Sequence, residues 1–208
     1  MIRLLALGLL GSVLWAAPAG AHHVGSYTAR DNEISANFKQ LKFSMLARKY
    51  DVALRLFEEG AVRQAMRAQV ATLPPGLEET TRSALQAGDA RAAEWGLTLV
   101  FAALIRDLAR EAERQVGDPA APAEARRAAG RKFLEAIWRY YNLVDFAMTQ
   151  RQNTSAVAIR LAFDEAETYA KGGAAAAAPE KMREPLGRIA RILSTVLEGS
   201  SPSTRRAS

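Results

Sequence analysis

Two histidines, His22 and His23, are the only imidazoles in this chain of 208 residues, and they stand side by side near its start. The small residues Ala16-Ala17-Pro18-Ala19-Gly20-Ala21 precede them. A cut after Ala19 would leave Gly20-Ala21-His22 as the new terminus. That terminus offers a free amine, two deprotonatable amides and an imidazole, the square-planar nitrogen set that suits Cu(II) or Ni(II). A cut after Ala21 would instead make His22 terminal, and its amine and imidazole could chelate copper as a bidentate pair, with His23 beside it. No further imidazole exists to close an oxidative copper site, so metal holding is expected there rather than redox catalysis.

A second arrangement depends on how two helices meet. Helical periodicity breaks near Asn153, and an antiparallel hairpin at that point puts residues equidistant from it face to face. Asp145 then lies level with about Arg160, and Arg139 or Tyr140 with about Glu165. Asp145 follows Tyr141 by four residues at the edge of an apolar stripe, so a partly buried carboxylate with Arg160 as its cation is expected. Trp138, Tyr141, Asp145 and Arg160 together would line a ligand pocket, whereas Asp145 and Arg160 alone would make an interhelical salt bridge. Trp138 and Tyr141 fall on the stripe and Tyr140 off it, an arrangement that suits core packing better than stacking of a planar ligand. Glu135, Asp145, Asp164, Glu165 and Glu167 add carboxylates that could hold iron, although the Glu-x-x-His pairs of di-iron bundles are absent. A solvated acidic face is the simpler reading of these residues.

Other chemistries are excluded by composition. With no cysteine there is no disulfide framework, thiolate zinc site, iron–sulfur cluster, covalent c-type haem or cysteine nucleophile. Both histidines lie outside the helical body, which argues against a buried Ser-His-Asp triad. No glycine-rich phosphate loop follows a strand, and no helical repeat signature is present. The net charge of +6 comes from acidic and basic residues that alternate, as in Arg110-Glu111-Ala112-Glu113-Arg114, so no phosphate-tracking stripe forms and nucleic acid is not an expected partner. An enzyme using Asp145 as general acid or base ranks behind a binding protein.

The elements that must position these residues are helices. Arg3, the apolar run Leu4–Trp15 and the small residues to Ala21 read as a cleavable secretory signal, too short to span a bilayer. The mature chain is therefore expected in the periplasm or outside the cell. Spacings of three and four mark a long helix from Asp31 or Asn32 to Gly60, with Ile34, Phe38, Leu41, Met45, Leu46, Tyr50, Ala53, Leu56 and Phe57 on its apolar stripe. Two short helices are expected over Ala61–Leu73 and Leu77–Ala87, and a long one over Asp89–Val116 whose core face includes Ala92, Trp95, Leu99, Phe101, Leu104 and Leu108. Further helices follow from Pro122 to Arg151, from Thr154 or Ser155 to Lys171, and from Pro179 to Glu198, the last delayed or kinked by Pro185. The expected fold is all-α: an antiparallel helical bundle of about four long helices plus a pair of short ones, a single domain over residues 22–198 with a tail over 199–208. The expected function is a non-enzymatic, exported binding or accessory protein of the cell envelope, taking a partner protein or small ligand and having no transmembrane span in the mature chain. Periplasmic handling of copper, nickel or iron is the alternative.

Overall fold

The computed structural model describes residues 32–171 and 178–201; the leader, His22, His23, residues 172–177 and the end of the tail lie outside the described residues. The chain folds into α1 (Glu33–Leu46), α2 (Tyr50–Glu59), α3 (Ala61–Ala68), α4 (Leu77–Gln86), α5 (Ala90–Val116), α6 (Ala123–Arg151), α7 (Asn153–Lys171) and α8 (Arg183–Gly199). A single 3-10 turn, Pro179–Met182, leads into α8. Among the described residues there is no strand, and no helix is long and apolar enough to cross a membrane.

The expected first long helix is two helices. Arg48 adopts a left-handed backbone with φ 58°, and its N–H reaches the Met45 carbonyl while that of Lys49 reaches Ser44. This pair of bonds closes a Schellman turn, which ends α1 without the glycine that usually fills the position. The chain turns there, so Leu46, expected on the buried stripe, is 76% exposed, and Phe43 beside it is also exposed. Four short helices precede α5 as a result, rather than a pair. Asn32 caps α1, accepting from the Ser35 N–H at 2.9 Å while the Ser35 hydroxyl accepts from the Asn32 N–H. The short α3 stops at Ala68, and the chain from Gln69 to Gly76 turns back toward α4.

Gly60 separates α2 from α3, and the reason lies across the fold in α1. The buried Asn37 amide donates to the Leu56 carbonyl at 3.0 Å and accepts from the Val62 N–H at 3.0 Å, one partner on each side of the bend. A Cβ on residue 60 would collide with the Leu56 carbonyl and with both polar atoms of Asn37. The bend therefore needs glycine for space rather than for a special φ.

The four longest helices pack in cyclic order, α5 on α6 and α8, and α7 on α6 and α8. Neighbours run in opposite directions. The Arg151 guanidinium at the end of α6 donates to the Arg91 carbonyl at the start of α5, and Arg126 at the start of α6 donates to the Val116 carbonyl at the end of α5. Arg110 meets Ser194 across α5–α8, and Arg188 meets Glu165 across α7–α8. Helices α1 to α4 pack on one another and on α5. Covered from several sides, α5 buries an unbroken run from Trp95 to Ala103, wider than one stripe, whereas Ala92 is exposed and Leu104 half-buried. Gly96 lets α4 approach so closely that a Cβ there would strike the Thr81 hydroxyl, and Gly130 likewise accommodates Met182, whose Sδ would lie 2.7 Å from an added Cβ. Pro185 sits in the first turn of α8, where its missing N–H has no helical acceptor to satisfy, so the helix starts late rather than kinking.

Candidate functional site

The hairpin between α6 and α7 forms with Gln152 as the one non-helical residue, and it brings the expected charged pair together. The Arg160 Nη1 lies 3.2 Å and 3.3 Å from the two Asp145 carboxylate oxygens, a bridge about one-third exposed on each side. One turn earlier, the Tyr141 side chain is buried, and its hydroxyl donates to the Ala156 carbonyl at 3.1 Å. Burial first, and then the nearby Asp145 carboxylate, push the Tyr141 phenol well above its ordinary range, so it stays a hydrogen-bond donor. The Trp138 ring stacks on Phe163 with centroids 4.7 Å apart and more loosely on Tyr141 at 6.2 Å. All four expected residues are thus neighbours. Their polar atoms and ring faces are, however, engaged with one another and with α7, so the cluster is an interhelical seam.

Other expectations need correction. Tyr140, placed off the stripe, is buried, while Trp138, placed on it, is 38% exposed. Tyr140 meets Phe101 edge to face at 5.4 Å, and its hydroxyl accepts from the Asn32 amide. Because α6 contacts α5 on one side and α7 on the other, its buried face is broad enough to take both tyrosines. Arg139 does not meet Glu165: Arg139 binds Glu135 at 2.6 Å one turn earlier on α6, and Glu165 binds Arg188 of α8 at 3.0 Å. Glu167 pairs with Lys171 at 2.7 Å. The carboxylates considered for iron are spread along two helices, Glu135, Asp145, Glu165 and Glu167 each held by a cation, and among the described residues no group of three or more acidic or imidazole side chains is placed to hold a metal ion. His22 and His23 lie outside the described residues.

Sequence reasoning did not find the cleft at the other edge of α6. A hollow of about 670 Å³ opens between the start of α5 and the end of α6, lined by Ala90, Arg91, Glu94, Trp95, Phe146, Ala147, Gln150 and Arg151. Ala90 and Ala147 leave the space that larger side chains would fill. Trp95 forms its floor, 8% exposed, with the Arg151 guanidinium 5.2 Å from its ring centroid. Phe146 stands 66% exposed at the rim. Lys42 of α1 binds Glu94 at 3.0 Å. The one sequence signal was Phe146, an aromatic residue on the wet side of α6, off the stripe of Phe133, Ile137, Tyr141 and Val144.

Among the described residues one cation, Arg106 of α5, is buried. The Arg106 side chain is 6% exposed; its Nε binds Asp107 at 2.8 Å and its Nη1 donates to the Thr72 carbonyl at 3.3 Å, so it ties the α3–α4 loop to α5.

No family model matches the chain, and neither the curated proteins nor the solved structures compared with it include a match.

Proposed function

We propose that this chain is an exported, non-enzymatic binding protein of the cell envelope whose antiparallel bundle of long helices, one domain over residues 22–198, takes a small ligand in the α5–α6 cleft. The cleft carries this reading. Its volume falls in the range of small-molecule sites, and it combines an aromatic floor with a few polar groups, the usual composition of such sites. The α6–α7 seam supports it less, because Trp138, Tyr141, Asp145 and Arg160 already satisfy one another. Export rests on the apolar run Leu4–Trp15 and the small residues before His22.

Two measurements test the reading. Intact mass of the exported product should correspond to a chain starting at Gly20 or His22; a product that keeps Met1 through Ala21 defeats export. A titration of small aromatic fragments, followed at the Trp95 indole N–H by NMR, should move that resonance, and a fragment set that leaves it in place defeats the cleft as a site.

The spacing of Gly20-Ala21-His22 favours copper or nickel handling as a second reading. On this reading the exported chain binds Cu(II) with a visible absorption band that His22→Ala removes. A variant that binds copper as tightly as the parent eliminates the terminal site.

A further inference from the structure

We infer that the α5–α6 cleft selects an aromatic anion, with its acidic group on Arg91 and its ring against Phe146 over the cleft floor. This deepens the cleft reading proposed above and rests on it.

Charge points to the sign of the ligand. Among the lining residues Arg91 and Arg151 are cations and Glu94 is the one carboxylate, and Lys42 already neutralises Glu94 at 3.0 Å. Arg91 is exposed at the second position of α5, where the Asp89 carboxylate already takes the Ala92 N–H at 2.9 Å, so the guanidinium is the group there that can meet an anion. Its backbone carbonyl is taken by Arg151, which fixes the two arginines beside one another. A carboxylate arriving there meets a planar fork of donors that it can accept from in bidentate fashion.

Shape points to the rest of the ligand. Phe146 exposes two-thirds of its surface at the rim, an arrangement that gains free energy only when something apolar covers it. Trp95 is the apolar floor below it, with the Arg151 guanidinium 5.2 Å from its ring centroid. Ala90 and Ala147 line the same cleft with small side chains. A flat hydrocarbon carrying one negative group satisfies both halves of the cleft at once.

The test uses the full chain and two probes of one shape, 2-naphthoate and the neutral 2-naphthalenemethanol, titrated calorimetrically at low salt. Naphthoate should bind about tenfold more tightly than the alcohol, the difference of one charge-assisted hydrogen-bonded pair. Arg91→Gln should remove that advantage and leave alcohol binding unchanged. Phe146→Ala should weaken both probes about equally, and both substitutions fall on exposed side chains, so folding survives them. If the two probes bind alike and Arg91→Gln changes neither, anion selection is overturned while the cleft as a ligand site stands. If neither probe binds at millimolar concentration, or Phe146→Ala leaves both unaffected, the inference falls and the site reading falls with it.

Discussion

Replacing Asn37 by alanine strips the bend between α2 and α3 of its two buried side-chain hydrogen bonds. Asn37 is 8% exposed, and its amide serves the Leu56 carbonyl and the Val62 N–H at 3.0 Å each. Val62 stands in the first turn of α3, so its N–H has no partner of its own within the helix. Without Asn37 that donor is buried and unpaired, at a cost of about 2 kcal/mol, and the weaker loss at the Leu56 carbonyl adds about 1 kcal/mol. The expected destabilisation is about 3 kcal/mol. Solvent cannot readily replace the amide, because Val62 is fully buried. Urea unfolding followed by circular dichroism reads the difference from the transition midpoint, provided the slope is unchanged. Gly60→Ala, whose Cβ collides with the same amide, should destabilise comparably, and the double variant should lose less than the sum because one side chain is shared. An Asn37→Ala protein within about 0.5 kcal/mol of the parent would refute the claim that this one amide holds the bend, since even a single exposed hydrogen bond is worth that much.

Arg48→Gly should stabilise the protein by about 0.5–1 kcal/mol, since the residue holds φ 58° at a turn that suits glycine; a lower melting temperature would count against the strain argument. Burial pushes the phenols of Tyr140 and Tyr141 up, so an alkaline absorbance titration should show two tyrosines ionising late, above the ordinary tyrosine range. The raised values make their stabilising contribution complete below the ordinary tyrosine value near 10 and lost as pH climbs above it, so alkaline unfolding and the late tyrosine signal should coincide. Asp145→Ala should cost no more than about 1 kcal/mol, because the bridge to Arg160 is about one-third open to water on each side, while bringing forward the ionisation of Tyr141; a loss of several kcal/mol would show a buried pair instead.

Much of this molecule is legible in the order of its residues, for reasons that separate local from global effects. The Asp145–Arg160 pair follows from counting outward from the break at the α6–α7 hairpin, because antiparallel helices joined by one residue leave little freedom of register. Glu165 escapes the same count because its side chain turns toward α8, a helix that arrives much later in the chain. Tyr140 looks peripheral when a stripe three to four residues wide is assumed, yet contact on two sides widens the buried face. The break at Arg48 leaves no glycine or proline to announce it: the backbone accepts a strained residue because α1 and α2 must each face a common interior. The α5–α6 cleft is invisible for a different reason, since a hollow is made by what two small alanines on different helices fail to fill.

The contact between Asn32 and Tyr140 ties the cap of α1 to the middle of α6. Asn32 is the first described residue, and its amide meets a phenol midway along α6, in line with the edge-to-face rings of Tyr140, Phe101 and Phe38. Phe146 and Arg151 stand within a few turns of the same tyrosine along α6. The cap that starts α1 and the rim of the hollow are thus carried by one helix, α6, and would shift together.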